Sequence, residues 1–139
     1  MDLTTSCQSR FVVRLPGGQA VTCELAITLQ ERTRGLIGHA PLDRDEGLLF
    51  LFEHADYHPF WMKGMEYAID IIWLNEEGRV VHFAREVPAC RRSPCPSYKP
   101  LRRARFVLEV RAGTIALEGL RLNDSLNGPW AELARLLTG

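Results

Sequence analysis

Residues 59–74 constrain the fold of this 139-residue chain more than any other segment. They hold its densest group of aromatic and branched apolar residues, and Lys63 and Asp70 stand among them. No apolar run in the chain approaches the roughly eighteen residues that a membrane-spanning helix needs. We therefore expect buried β-structure in this segment, with packing and chemistry meeting there.

Five further segments predict strands, since each is short, rich in apolar residues and bounded by turn residues. They are residues 10–15, 20–27, 47–52, 79–87 and 105–110. In the last of these, Leu108 and Val110 share one face, so Glu109 belongs to the opposite face and is expected to meet water or a pocket. The polar residues 53–58 and the proline-rich residues 87–100 predict loops.

Helices are expected to be few and short. Thr28 and Glu31 have the spacing of a capping box, which predicts a helix that ends near the glycines that follow. Residues 113–122 predict a helical turn and the start of a strand, and Pro129 begins an amphipathic C-terminal helix. Residues 1–139 therefore predict a single domain that is mainly β. We expect a compact antiparallel β-sandwich or partly closed barrel with two or three short helices, with an α+β fold as the alternative.

The charge balance limits the classes of partner. Seventeen basic and seventeen acidic residues give a formal net charge of zero, so no overall field attracts nucleic acid or an anionic membrane. We expect neither of those partners, and the oligomeric state stays open. The first residues lack the basic and apolar regions of a signal peptide. This predicts a cytoplasmic protein if the chain is complete, or an exported one if a signal peptide has been removed.

The four cysteines require separate interpretations. Cys23 falls on the apolar face of a predicted strand and is expected in the core. Cys90 and Cys95 lie in the proline-rich loop, where a disulfide would stabilise the fold by about 2 kcal/mol. We expect that disulfide in an oxidising compartment and free thiols otherwise. Cys7 is left over and is expected at the surface.

Several motifs, taken in order along the chain, resemble a known family. They are ERTRGLIG at 31–38, GLLF at 47–50, FWMK at 60–63, IDIIWL at 69–74, and VLEV at 107–110 with Gly113. Together they resemble domain of unknown function number 192, a bacterial and archaeal family, over roughly residues 20–126, which leaves 127–139 for the C-terminal helix. The resemblance implies a compact, mostly β domain, often exported in relatives, without a known activity. Gly64 stands where that family usually has asparagine.

Asp70 is the most unusual side chain, because it interrupts an otherwise apolar strand. A buried carboxylate costs several kcal/mol unless it is paired or hydrogen-bonded. Arg34 or Lys63 is the partner that we expect. Two interpretations remain open: a structural ion pair or cap for neighbouring backbone, and a functional carboxylate.

The functional interpretation places Arg34, Trp61, Lys63, Asp70 and Glu109 around one cleft that binds a polar ligand, either a saccharide or a peptide segment. One alternative is a hydrolytic enzyme, in which Asp70 and Glu109 divide the acid and base roles. A second alternative is a purely structural or interaction module. We favour binding over catalysis and expect no cofactor.

Two other patterns indicate weaker candidates. His54, Asp56 and His58 alternate, so in an extended segment they could converge on a metal ion, although a solvated loop is the expectation that we favour. Residues 91–105 contain six basic residues and no acidic one. Such a run could bind phosphates, but arginines on a strand edge also discourage edge-to-edge pairing.

Overall fold

The computed structural model describes residues 10–137. Cys7 lies outside these residues. The strands are β1 Arg10–Arg14, β2 Ala20–Ala26, β3 Glu46–Asp56, β4 Phe60–Trp61, β5 Ile69–Leu74, β6 Val80–Val87, β7 Ser97–Tyr98 and β8 Ala104–Arg111. The helices are α1 Leu29–Arg34, α2 Thr114–Glu118 and α3 Trp130–Leu136. The prediction of a mainly β fold with short helices is confirmed. Within the described part of the chain, no helix is long and apolar enough to cross a bilayer.

Six strands form one sheet in the order β1-β2-β3-β8-β5-β6, and β4 pairs with β7 in a second, smaller sheet. The main sheet is mixed, because β2 and β3 are parallel and α1 lies in the connection between them. The predicted antiparallel pairing holds for the other neighbouring strands of this sheet and not for β2 with β3. The sheet is not a closed barrel. However, residues 123–127 hydrogen-bond to both edge strands, through Asp124 to Val80 and through Asn127 to Arg14.

One side of the main sheet, which we call the helix face, is covered by α2 and α3. The central strands contribute Leu49, Leu51, Ile72 and Leu108 to it, and these side chains are buried. Ile115 from α2 and Trp130 and Leu133 from α3 complete the same cluster. Cys23 is fully buried there, as expected, and burial raises the pKa of its thiol to about 12. This side of the sheet is a conventional apolar core.

The opposite side, which we call the loop face, is covered by irregular segments. Leu48, Phe50, Ile71, Trp73 and Val107 point to this side from the strands. They pack against Leu36 and Leu42 from the segment after α1, and against Met62 and Met65 from the turn after β4. Because loops cover a sheet less completely than helices do, this is the side on which a cavity can form.

Several elements were predicted correctly from short sequence patterns. Thr28 and Glu31 form the predicted capping box: Thr28 Oγ1 accepts from the Glu31 amide, and Glu31 Oε1 accepts from the Thr28 amide, both at 3.0 Å. The helix ends at Gly35, which has a φ of 52°.

Two other segments differ from the prediction. Residues 113–122 begin with α2 as predicted, but the predicted strand start is absent from them. Residues 53–56, predicted as loop, instead extend β3, because Asp56 pairs with Ala104 beyond a bulge.

The proline-rich loop is tied to the turn after β4. Cys90 and Cys95 form a disulfide within it. Its ends are fixed by β7, which pairs with β4, and by hydrogen bonds of the Cys90 backbone to Met62 and Gly64. The loop therefore supports the segment that carries Trp61 and Lys63.

Candidate functional site

A cavity of about 430 Å³ opens on the loop face, between α1 with its following loop and the segment from His58 to Met65. We call it the Glu109 cavity, after the one acidic residue in its lining. Its walls are mainly aromatic and aliphatic, and they are formed by Leu29, Leu36, Ile37, Phe50, Phe52, Pro59, Phe60, Trp61, Met62 and Met65. Arg32, Arg34, Lys63 and His58 are its basic residues. Its volume is in the range of small-molecule sites.

Glu109 enters the cavity from the middle of the sheet. It lies in β8 between Leu48 of β3 and Ile71 of β5, so its side chain is on the loop face, as alternation predicts. The residue is only 5% exposed. Among residues 10–137, its carboxyl group has no hydrogen-bond or ion-pair partner. Burial raises the pKa of Glu109 to about 8, so the group is mainly protonated at neutral pH and can both donate and accept a hydrogen bond.

The aromatic walls are held by edge-to-face contacts. The Phe60 ring centroid lies 4.8 Å from that of Phe50 and 6.0 Å from that of Trp73, both nearly perpendicular. His58 stacks on Phe52 with 3.6 Å between ring centroids. Such contacts add to the energy of area burial and fix ring orientation. The cavity is therefore largely preformed.

The basic residues differ in how firmly they are held. Arg32 donates to the carbonyl groups of Ile27 and Leu51 and lies over the Phe52 ring, so it is part of the structure. Arg34 makes only one long contact, of 3.5 Å, to the Ile37 carbonyl. The Lys63 ammonium lies 5.3 Å from the centroid of Trp61. Arg34 and Lys63 are exposed, and their charged groups remain available to a ligand.

Tyr67 lies near Glu109 without lining the cavity. Its hydroxyl donates to the carbonyl groups of His39 and Ala40 at 3.1 and 3.2 Å. Burial, and secondarily the charge of Glu109, raise the pKa of Tyr67. The ring therefore fastens the 39–40 segment close to the buried carboxyl group, and its hydroxyl is already satisfied by backbone.

Asp70 does not share this cavity. Its register partner is Val110, one residue along from Glu109, so the two carboxyl groups lie on opposite faces of the sheet. Asp70 is fully buried, and its Oδ1 accepts from the amide of Glu86 at 2.7 Å while Oδ2 accepts from the amide of Ile115 at 2.8 Å. The prediction of Arg34 or Lys63 as its partner is wrong. So is the prediction of one cleft containing both Asp70 and Glu109.

The two amides explain why a carboxylate stands at position 70. Glu86 belongs to a bulge of β6 opposite Asp70 and has a φ of 47°, in the left-handed region. Ile115 is in the first turn of α2, where backbone amides lack helical partners. Asp70 thus caps two irregular backbone sites at once, which corresponds to the structural interpretation of this residue.

The remaining candidates are dispersed. No three histidine, cysteine or acidic residues in the described 10–137 range are grouped to hold a metal ion. Of His54, Asp56 and His58, only His58 reaches the cavity, and its Nε2 is 2.9 Å from the His54 carbonyl oxygen. The basic run does not lie entirely at the surface. Arg105 is buried, with a salt bridge to Glu76, while the other five residues are exposed.

Sequence reasoning found Arg34, Trp61, Lys63 and Glu109, but it treated most of the apolar lining as core. Phe50 and Phe60 are indeed packed in the sheet, and the same rings also line the cavity. Met62 and Met65 carried a usable signal, since flexible methionines around a lysine often mark adaptable binding surfaces. Tyr67 carried no signal, because its proximity to Glu109 depends on strand register.

The fold and cavity define a small mixed-sheet domain with one unpaired carboxyl group in an aromatic site. This chain belongs to the family described as Uncharacterized ACR, COG1430 (DUF192), whose family model matches residues 12–128. The resemblance found in the sequence is therefore confirmed. No curated protein matches the chain.

Solved structures share the fold. A protein of unknown function from Novosphingobium aromaticivorans DSM 12444 is 22% identical with a TM-score of 0.75, and the match covers 91% of this chain and 99% of that one. A protein from Sinorhizobium meliloti 1021, named "putative transcription regulator", is 25% identical with a TM-score of 0.76, covering 92% and 98%. The similarity extends over almost the whole chain.

The backbone accounts for the departure from the family pattern at Gly64. This residue has a φ of 85°, in the left-handed region. Glycine adopts that region freely, and asparagine is among the few other residues that tolerate it. The turn that follows β4 therefore accepts Gly64, and it would also accept the asparagine that the resemblance implies at this position.

Proposed function

We propose that this protein is a binding domain that holds a polar ligand in the Glu109 cavity. The observation that carries the proposal is the Glu109 carboxyl group, which is buried, faces the cavity and has no partner within residues 10–137. The carboxyl group is not sealed in the core, because Glu109 lines the cavity. A ligand in the cavity therefore meets a hydrogen-bonding group that no protein group within residues 10–137 already occupies.

The lining favours one kind of polar ligand over another. A saccharide presents hydroxyl groups on every side and needs many polar partners, whereas this cavity is mostly apolar and has a single buried acid. A ligand with an apolar body and one hydrogen-bonding group fits better. Of the saccharide and the peptide segment predicted from sequence, the peptide segment meets that description.

Hydrolysis by a pair of carboxylates has less support. The acid and base of such enzymes flank one reacting bond. Here Asp70 is committed to two backbone amides on the helix face, and Glu109 is the only acidic residue among residues 10–137 that lines the cavity. A single protonated carboxyl group can orient a ligand without further catalytic groups, so binding requires fewer assumptions.

Transcriptional regulation, suggested by the name of the S. meliloti protein, is supported less well by these features. Helices that read the major groove must expose several side chains along their length. The helices described here have five to seven residues, and the formal net charge of the chain is zero. Ligand binding remains the function that this chain supports best.

The proposal is tested by NMR titration of the ¹⁵N-labelled protein with glucose, N-acetylglucosamine and a panel of blocked amino-acid amides. We expect at least one probe to shift the amide signals of Gly35, Met62 and Met65. Glu109→Gln resembles the protonated acid and should retain binding, whereas Glu109→Leu should bind about tenfold or more weakly. Glu77→Gln, in an exposed turn, is the matched control and should change nothing.

Two results would contradict the proposal. One is that none of the probes shifts these signals in the wild-type protein. The other is that Glu109→Leu binds the probes as tightly as the wild type does, because the carboxyl group would then contribute nothing to recognition.

A further inference from the structure

The mouth of the Glu109 cavity is surrounded by exposed apolar side chains. Leu29 is 73% exposed, Trp61 56% and Ile37 41%, and all three belong to the cavity lining. A small molecule seated inside would leave the outer surfaces of these side chains in water. Three large apolar residues around one opening are therefore better explained by a ligand that also crosses the mouth.

The charges at the mouth indicate what crosses it. Arg34 and Lys63 are exposed, and neither forms a salt bridge with an acidic residue in the described chain. In the described part of the chain, Glu109 is the only acidic residue of the lining, and it is buried. The mouth is thus positively charged, and a ligand with carboxylates outside the cavity complements it.

The interior indicates what enters. Two phenylalanines and two methionines, Phe50, Phe60, Met62 and Met65, line the cavity together with the buried carboxyl group of Glu109. Tyrosine has the matching form: an apolar ring with one hydroxyl group at its tip. It is also among the residues that most often anchor peptides and proteins in pockets.

We propose that the occupant is an acidic peptide segment that inserts one tyrosine side chain into the Glu109 cavity. The tyrosine hydroxyl group exchanges a hydrogen bond with the Glu109 carboxyl group, and carboxylates of the neighbouring peptide residues lie over Arg34 and Lys63. Leu29, Ile37 and Trp61 cover the peptide where it crosses the mouth. This inference rests on the proposed function and adds the chemical class of the ligand.

The test uses isothermal titration calorimetry with a blocked pentapeptide of sequence Ser-Glu-Tyr-Glu-Ser. One comparison peptide replaces tyrosine by phenylalanine, and another replaces both glutamates by lysine. We expect the phenylalanine peptide to bind about tenfold or more weakly, because it leaves Glu109 unsatisfied. The lysine peptide should show no measurable binding.

Variants of the protein show which residues cause these differences in peptide affinity. In Glu109→Leu the preference for tyrosine over phenylalanine should disappear or reverse. Lys63→Gln should weaken the acidic peptide severalfold and reduce its dependence on salt, because one positive charge is removed from the mouth. Arg44→Gln, which removes a positive charge outside the cavity lining, is the matched control and should leave the affinity unchanged.

Equal affinities for the tyrosine and phenylalanine peptides in the wild-type protein would overturn the inference. If no peptide bound while a saccharide or a single blocked amino acid shifted the cavity signals by NMR, the peptide class would be wrong and the binding function would stand. If neither the peptides nor those probes bound, both proposals would fall.

Discussion

Asp70 and Glu109 are two buried carboxyl groups on neighbouring central strands, one register position apart and on opposite faces of the sheet. Asp70 accepts hydrogen bonds from two backbone amides. Glu109 accepts none within residues 10–137, and burial raises its pKa to about 8. The same functional group at similar depth thus has different surroundings, because the covering elements differ: α2 brings an amide to Asp70, and loops leave a cavity beside Glu109.

The difference teaches how to separate structural from functional buried acids. A carboxylate whose two oxygens are satisfied by backbone stabilises the fold and has no capacity left for a ligand. A carboxyl group that faces a cavity without a partner contributes nothing to folding that an apolar residue could not contribute better. Retaining such a group is intelligible when a ligand uses it.

The largest effect on stability is expected from Asp70→Asn, and the corresponding single change at Glu109 is its comparison. Asp70→Asn should destabilise the protein by about 4 kcal/mol, because one hydrogen bond loses its charge and, in place of the other, an amide donor faces a backbone donor. Glu109→Gln, the matched control, should not destabilise the protein, and it should raise stability at pH 7 by up to about 3 kcal/mol because it removes the proton release that favours the unfolded chain above pH 4.5. Urea unfolding at pH 7 measures both. Equal destabilisation by the two substitutions would refute the distinction between the faces.

The second prediction concerns pH. Burial raises the pKa of Glu109 from 4.5 to about 8, so above pH 4.5 the unfolded chain releases a proton that the folded protein retains. The associated stability is complete below about pH 4.5 and is lost as the pH rises to about 8. We expect the free energy of unfolding to fall by about 1.4 kcal/mol per pH unit, or by about 3 kcal/mol between pH 5 and pH 7.

Glu109→Gln removes this titration and leaves every other group in place. The quantity to measure is therefore the difference in unfolding free energy between wild type and Glu109→Gln at a series of pH values. A difference that stays constant from pH 5 to pH 8 would show that the carboxyl group is not desolvated, and the comparison with Asp70 would lose its basis.

The smallest effect on stability is expected when the disulfide is removed. The accompanying structural change should be confined to the loop face. Replacing Cys90 and Cys95 together by serine should lower stability by about 2 kcal/mol through loop entropy. The main change should appear in NMR signals of Trp61 and Lys63, because β4 is held by this loop, while signals from α2 stay in place. A reductant should destabilise the wild type and leave the double variant unaffected. Equal shifts on both faces would mean that the loop does not specifically support the cavity.

The local part of the fold could be read from the sequence because its causes are local. The capping box at Thr28 and Glu31 involves residues three apart, and the alternation in β8 that places Glu109 on one face depends only on strand geometry. The family motifs, too, are short segments. Such features need no knowledge of what lies on the other side of the sheet.

The nonlocal part could not be read in the same way. The parallel pairing of β2 with β3 depends on how α1 crosses between them, and a sequence pattern of apolar residues fits either direction. The partners of Asp70 are 16 and 45 residues away, and both are backbone amides, which leave no trace in side-chain chemistry. The grouping of Arg34, Trp61, Lys63 and Glu109 was predicted, whereas the exclusion of Asp70 required the register.

The exposure of Trp61 has an optical consequence. Trp73 is completely buried and Trp130 is 6% exposed, so Trp61, at 56%, is the one indole of the three that water-soluble quenchers can reach. It stands at the mouth of the cavity beside the Lys63 ammonium group, which attracts the anionic quencher iodide. The native protein therefore carries its own fluorescent reporter at the mouth, and shielding of this single indole from iodide registers whatever arrives there, without any label.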